Sequence, residues 1–175
     1  MSGVRDQIRC KVGSPHLHWF AFPSFGGTRN KSVKNKPYEI IEHTADIGIR
    51  IKAKNLEGLF IQSARALFDI IAEIKSPVLS LFSLTKTIKI NLEAENREEL
   101  YLNWLNELLS LAGAKNIIFY DFKISRITDK TISAVVFGKK SSAYKVNVEV
   151  KAATYHDLSI KEINGIWQAE VILDV

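Results

Sequence analysis

The stretch EHTADIGIRIKA, residues 42–53, decides how the fold begins. From Asp46 onward, apolar residues occupy every second position, which is the period of a strand with one buried face. The apolar set is Ile47, Ile49, Ile51 and Ala53, and the other set is Asp46, Gly48, Arg50 and Lys52. We therefore expect Asp46 on the polar face of a strand, close to where the strand begins.

The last five residues, VILDV at 171–175, form a second apolar run with one acid, Asp174, beside the free carboxylate of Val175. If the two strands meet in one sheet, Asp46, Asp174 and the Val175 terminus can converge. Three anions repel one another unless they are protonated or bridged by a cation, and oxygen ligands select hard ions such as calcium or magnesium. Two simpler readings stay open. Asp46 is a solvated carboxylate, or it is neutralised by Arg50 and Lys52 on its own face.

The composition is that of one globular domain, with or without a tail. The chain has 175 residues, 46% of them apolar and 25% charged, which is ordinary for such a domain. No apolar run approaches the roughly 18 residues that span a bilayer, so we expect no membrane association. The single cysteine excludes an intramolecular disulfide and a Cys-based zinc cluster, and it favours a cytoplasmic protein.

The positive charge is concentrated at the start of the chain. The net charge is +5, but residues 1–36 carry seven lysines and arginines against one aspartate, so the remainder has a net charge of −1. This distribution weakens the case for RNA binding by the domain itself. We predict a flexible basic leader over residues 1–36 and a folded domain over residues 37–175. The leader is either an RNA-facing or partner-facing arm or, as we favour, sequence upstream of the natural start.

Two amphipathic helices and several strands follow. Asn55 and Asn96 are predicted to cap the helices, and Gly113 is predicted to end the second one. The pair Asn164-Gly165 predicts a hairpin. Strand patterns cover 87–92, 117–124, 131–137, 144–151, 158–163 and 166–173. Helices early and strands late indicate an α+β fold in two layers, with a mixed, mainly antiparallel sheet covered on one face by the two helices.

Five blocks of this sequence resemble the archease family. They are EHTADIGI at 42–49, ALFDI at 66–70, WLNELL at 104–109, KAATYHDLSI at 151–160 and WQAEVILDV at 167–175. The resemblance implies a non-catalytic accessory protein that activates an RtcB-type tRNA-splicing ligase by promoting its guanylylation and multiple turnover in tRNA exon ligation. It also implies that Asp46, Asp174 and Val175 bind a divalent metal, with calcium favoured. The tRNA is then reached only through the ligase.

Other functions and roles stay open at this point. The protein is alternatively a chaperone-like modulator of a tRNA methyltransferase, a metal-dependent phosphohydrolase with His43 as its base, or a tRNA-binding module that uses the leader. His43 either caps the strand through the backbone, orients Asp46 or faces a partner. Lys151 and His156 are candidate partner contacts, although His156 beside Asp157 is also typical of a surface turn.

Overall fold

The computed structural model describes residues 38–42, 46–75 and 84–175, and within them the chain forms two α-helices, one short 3-10 helix (Ser141–Ala143) and nine strands. The α-helices are α1 (Leu56–Ile71) and α2 (Arg97–Lys115). The strands are β1 (Tyr38–Glu42), β2 (Ile47–Ala53), β3 (Ala72–Ile74), β4 (Lys86–Glu93), β5 (Ile117–Ile127), β6 (Thr131–Lys140), β7 (Tyr144–Val146), β8 (Ala152–Ile163) and β9 (Ile166–Asp174). This composition confirms the α+β class. The predicted leader over residues 1–36 and its boundary with the domain at 37–175 lie largely outside the described residues, so they stay predictions.

The strands divide among three sheets rather than forming the single sheet that the sequence pattern predicted. One sheet has the order β1-β2-β9-β8, a second has the order β4-β6-β5, and β3 pairs with β7 in a short ribbon. Every pairing is antiparallel. The predicted strand at 144–151 is shorter because it leaves the ribbon after Val146, and residues 147–151 have no regular structure.

Asparagine caps begin both helices, as predicted. The Asn55 side chain accepts a hydrogen bond from the Gly58 backbone N–H at 2.7 Å, and Asn96 accepts one from Glu99 at 2.9 Å. The prediction that Gly113 ends the second helix was wrong. The helix continues to Lys115, and Asn116 takes the left-handed conformation after it with φ of 51°. Asparagine tolerates that conformation well enough to replace glycine there.

One layer of helices packs against both larger sheets. Helix α1 packs on β2 and β5, and α2 packs on β8, β5 and β4. Phe68 of α1 and Trp104 of α2 meet at Phe122 of β5, with ring centroids 6.1 and 6.3 Å from it. The Trp104 indole also donates to the Phe60 carbonyl at 3.1 Å. The two sheets therefore share one core.

A buried chain of hydroxyl groups joins the two helices. The Tyr101 hydroxyl donates to Ser63 Oγ at 2.6 Å, and Ser63 donates to the Leu59 carbonyl at 2.7 Å. Burial raises the pKa of Tyr101, so the phenol stays protonated and keeps its donor role.

The predicted hairpin at Asn164-Gly165 is confirmed. Both residues have positive φ, 52° and 75°, and Ile163 pairs with Ile166 across the turn, as a two-residue turn of this type requires. The resulting β8–β9 hairpin carries the end of the chain back along β2. Neither helix in the described part of the chain has the length and apolar character needed to cross a membrane.

Candidate functional site

The register between β2 and β9 brings Asp46 towards Asp174. Ile47 pairs with Leu173 at the end of this antiparallel ladder, and one step further stand Asp46 and Asp174. Residues opposite each other in an antiparallel pair share a face of the sheet. Both aspartates are partly exposed. The two strands therefore meet, and their acidic residues lie at the same end of the sheet.

Strand β8 holds the chain terminus from the other side. Ala152 pairs with Asp174, and the Lys151 backbone N–H donates to the Asp174 carbonyl at 2.8 Å. The Lys151 ammonium donates to an oxygen of the Val175 backbone carboxylate at 2.8 Å and lies 3.6 Å from Asp174 Oδ1. A positive charge of the protein therefore stands among the predicted metal ligands. We call Asp46, Lys151, Asp174 and Val175 the terminal site.

Arg50 does not neutralise Asp46, which corrects one of the two simpler readings. Its guanidinium instead lies between Glu170, at 2.7 Å, and Glu39, at 3.2 Å, on the middle of the same sheet. The hydrogen bond from Arg50 lowers the pKa of Glu170, and the same bond raises the pKa of Arg50. Lys52 is exposed and forms no ion pair with any described residue.

The donors of the terminal site fit a hard cation in chemical type. Carboxylate and carbonyl oxygens are the ligands that calcium prefers, and the Thr154 hydroxyl, buried two residues along β8 from Ala152, has no hydrogen-bond partner. Within residues 38–42, 46–75 and 84–175, no three Asp, Glu, His or Cys side chains form a metal-binding cluster.

Asn106 fixes this end of the sheet to helix α2, and sequence reasoning missed it. Its amide donates to the Ala153 carbonyl at 3.0 Å and accepts from the Ala153 N–H at 2.8 Å. The side chain thus completes the backbone bonding of an edge strand two residues from Lys151. A polar residue between the buried Leu105 and Leu108, inside the block WLNELL, was the available signal.

Of the two histidines of the prediction, only His156 lies within the described residues, and it is not brought together with the terminal site. His43 lies outside the described residues. His156 is exposed, with Nε2 3.4 Å from Asp157 Oδ2, where β8 leaves its register with β9 between Thr154 and Ser159. It is five residues beyond Lys151, up to about 17 Å along the strand. The surface-turn interpretation of His156 agrees with this position and with the φ of 50° at Asp157.

Comparison with known proteins gives a consistent result. A family model described as the Archease protein family matches residues 38–175. The chain is 34% identical over 146 residues to the protein archease of Pyrococcus abyssi, covering 80% of this chain and 99% of that protein. It is 31% identical over 150 residues to that of Methanosarcina barkeri, covering 82% and 99%.

Two solved structures share the fold. The solution structure of a Methanobacterium thermoautotrophicum protein superposes with a TM-score of 0.61 at 26% identity, covering 81% of this chain and all of that one. The crystal structure of a Thermotoga maritima archease, described as a possible chaperone, has a TM-score of 0.54 at 22% identity, with 77% and 94% covered.

Proposed function

The chain belongs to the archease family, and from this premise we propose that it activates an RtcB-type tRNA-splicing ligase. In this role it promotes guanylylation of the ligase and its repeated turnover in tRNA exon ligation, in the cytoplasm, without itself being the catalyst. The observation that carries the proposal is the terminal site, where Lys151 bonds the last two residues of the chain beside Asp46.

The terminal site has the exposure and the rigidity that we expect of a group that enters another protein's active site. It lies at the end of a sheet and at the end of the chain, and its Lys151 and Asp174 side chains are more than 45% exposed. Three sets of hydrogen bonds hold the site in place. They are the strand pairing with β2, the strand pairing with β8 and the two hydrogen bonds from the Asn106 side chain. Groups held on strands and supported by neighbouring hydrogen bonds keep their geometry on binding better than groups on loops.

A divalent cation, with calcium favoured, is part of this proposal. Asp46, Asp174 and the carboxylate of Val175 would hold it. When bound, such an ion neutralises phosphate charge during nucleotidyl transfer. Lys151 presents a fixed positive charge beside the same oxygens, so it either shares the carboxylates with the ion or yields them to it. Asn106 positions Lys151 by holding the start of β8.

The test is ligation of a broken tRNA by the cognate ligase at limiting ligase concentration, with GTP. Asp46→Asn/Asp174→Asn removes the acids and keeps their size. Glu149→Gln/Glu162→Gln changes the net charge by the same amount at two exposed positions that form no ion pair within the described residues. We expect the wild type and the glutamate variant to raise both turnover number and guanylylation, and the aspartate variant to raise neither.

Equal activity of both variants would remove the terminal site from the proposal. No effect of any form of the protein on the ligase would remove the ligase role. In that case the alternative is a chaperone-like modulator of a tRNA methyltransferase. The matching experiment measures whether the protein alters the site preference or the aggregation of a methyltransferase.

A further inference from the structure

The three-stranded sheet β4-β6-β5, which we call the basic sheet, has one face in the core and one facing away from the helices. Phe122, Ile132 and Val136 point into the core. Alternation along the strands puts the following residues on the outer face: Thr87, Lys89, Asn91 and Glu93 of β4, Thr131, Ser133, Val135, Phe137 and Lys139 of β6, and Asp121, Lys123 and Arg126 of β5. No described helix packs there.

Three cations of this outer face form no ion pair with any residue that the structure describes. Lys89, Lys123 and Arg126 are exposed, and none of them forms an ion pair with a described residue. Of the two acids on this face, Asp121 is bridged to Arg65 of α1 at 3.3 Å, and Glu93 forms no ion pair with a described residue. Unpaired positive charges grouped on one face create a field that favours a polyanion.

Aromatic rings lie among these cations. Lys123 Nζ is 5.2 Å from the centroid of Phe137, and Lys139 Nζ is 5.6 Å from that of the exposed Tyr120. Lys89 and Lys123 both pair with Val135 from opposite sides, so their backbones are about 10 Å apart across the face. The face thus alternates positive charge with ring surface.

A shallow cavity of about 460 Å³ opens at the end of this face. Arg126, Asn91, Ser133 and Thr131 contribute hydrogen-bonding groups to its lining, which also includes the acid Glu93. Neither the Arg126 guanidinium nor the Asn91 amide forms a hydrogen bond with any described residue. These are groups that contact the edges of bases and the 2′-hydroxyl of ribose in RNA-binding proteins.

We propose that the outer face of the basic sheet binds single-stranded RNA. Lys89, Lys123 and Arg126 contact phosphates, and bases stack on Phe137 and Tyr120, as on other open sheets that bind single strands. The charge alone also suits an acidic protein segment, but such a segment offers no planar rings to stack. The proposal goes beyond the activator role and is tested without the ligase, so the two can fail separately.

The test is binding of a fluorescent, unstructured single-stranded RNA to the full chain over a range of salt concentrations. We expect Lys89→Ala/Lys123→Ala/Arg126→Ala to weaken binding at least tenfold. It should also reduce the slope of log K against log salt by about 2, because each phosphate contact on a single strand contributes about 0.7. Phe137→Leu keeps every charge and should weaken binding about fivefold or more through lost stacking.

Two controls separate this face from general charge. Lys52→Ala/Lys54→Ala/Lys161→Ala removes three exposed lysines from elsewhere, and should leave affinity within twofold. A full-length variant with the seven leader lysines and arginines replaced by Gln should still lose affinity when the triple change is added. Thermal unfolding checks that each variant is folded.

Three results would overturn the proposal. The first is equal weakening by the two triple variants, which would indicate attraction by net charge alone. The second is complete loss of binding in the leader variant with no effect of the basic-sheet triple. The third is an unchanged RNA affinity in the basic-sheet triple together with weaker binding of a polyglutamate peptide, which would make an acidic protein the ligand.

Discussion

The two larger sheets carry opposite net charge, and they differ in whether their cations have acidic partners. The four strands β1, β2, β9 and β8, which we call the acidic sheet, contain six acids and three bases, whereas the basic sheet contains six bases and two acids. On the acidic sheet, Arg50 is held between two glutamates and Lys151 is held at the chain terminus. On the basic sheet, three cations have no acidic partner among the described residues.

This difference in pairing indicates which charged groups can gain most by binding a ligand. Charges that already have partners inside the protein gain less from a ligand than charges that have none, because their partners must be given up. The acidic sheet therefore offers its exposed end, the terminal site, and scattered single charges such as Lys52 and Glu162, whereas the basic sheet groups its unpaired cations on one outer face. Each of the following predictions tests one part of this contrast.

The contrast requires that both sheets share one core, and Trp104 tests that requirement. It is fully buried, contacts Phe122 of the basic sheet and bonds to Phe60 of α1. We expect Trp104→Ala to lower the free energy of unfolding by about 3–5 kcal/mol and to keep a single transition in denaturant. Trp167→Ala, at a partly exposed tryptophan stacked with Arg97, is the control and should cost less. Two separate transitions in Trp104→Ala would show that the sheets unfold independently.

The rigidity of the terminal site depends on Asn106. Asn106→Ala leaves the Ala153 N–H and carbonyl without their partner, so we expect a loss of about 1–3 kcal/mol in the free energy of unfolding. Hydrogen exchange at the Ala153 amide should accelerate, while exchange in the basic sheet should not change. Asn103→Ala makes the same replacement one turn earlier on the same helix, at a position with no such bond. An equal effect of Asn103→Ala would contradict a specific role for Asn106.

The charge of Lys151 competes with the proposed cation of the terminal site. We expect Lys151→Met to tighten calcium binding by on the order of tenfold, because a neighbouring positive charge repels a divalent ion by about 1–2 kcal/mol in a water-like environment. Isothermal titration calorimetry measures this directly. Lys145→Met removes the same charge from the β3–β7 ribbon and should leave calcium affinity unchanged. Weaker binding in Lys151→Met would mean that the ammonium organises the carboxylates instead.

Local signals predicted most of the elements but not their assembly. Alternation predicted β2, the asparagine caps predicted where α1 and α2 begin, and the Asn164-Gly165 pair predicted the last hairpin. These features depend on neighbouring residues only. The division into three sheets depends on pairings between distant strands, such as β3 with β7, and residues 72–74 carry no sign of strand pairing because they directly continue an amphipathic helix.

The candidate site was also predictable from the sequence only in part. Asp46, Asp174 and Val175 were accessible to sequence reasoning because chain position and strand alternation set them at the ends of two strands. The partners of Arg50 and Lys151 were not, because a cation near several acids can choose any of them and only the register decides. The net charge of −1 over residues 37–175 also gave no sign of the basic sheet, because the positive charge of this sheet and the negative charge of the acidic sheet cancel in the sum over the domain.

The smallest expected effect concerns how the acidic sheet neutralises its own charge. Arg50 lowers the pKa of Glu170 from its ordinary value of 4.5, so folding is favoured by this pair above that pH and loses its contribution as pH falls through the lowered pKa. We expect Glu170→Gln to be slightly less stable than the wild type near neutral pH, with thermal midpoints that converge as the pH falls through the lowered pKa of Glu170. Glu93→Gln on the basic sheet, where the carboxylate has no ion pair with a described residue, is the matched control. A Glu170→Gln difference that stays constant across the pH range would mean that packing, rather than the charge pair with Arg50, makes Glu170 stabilising.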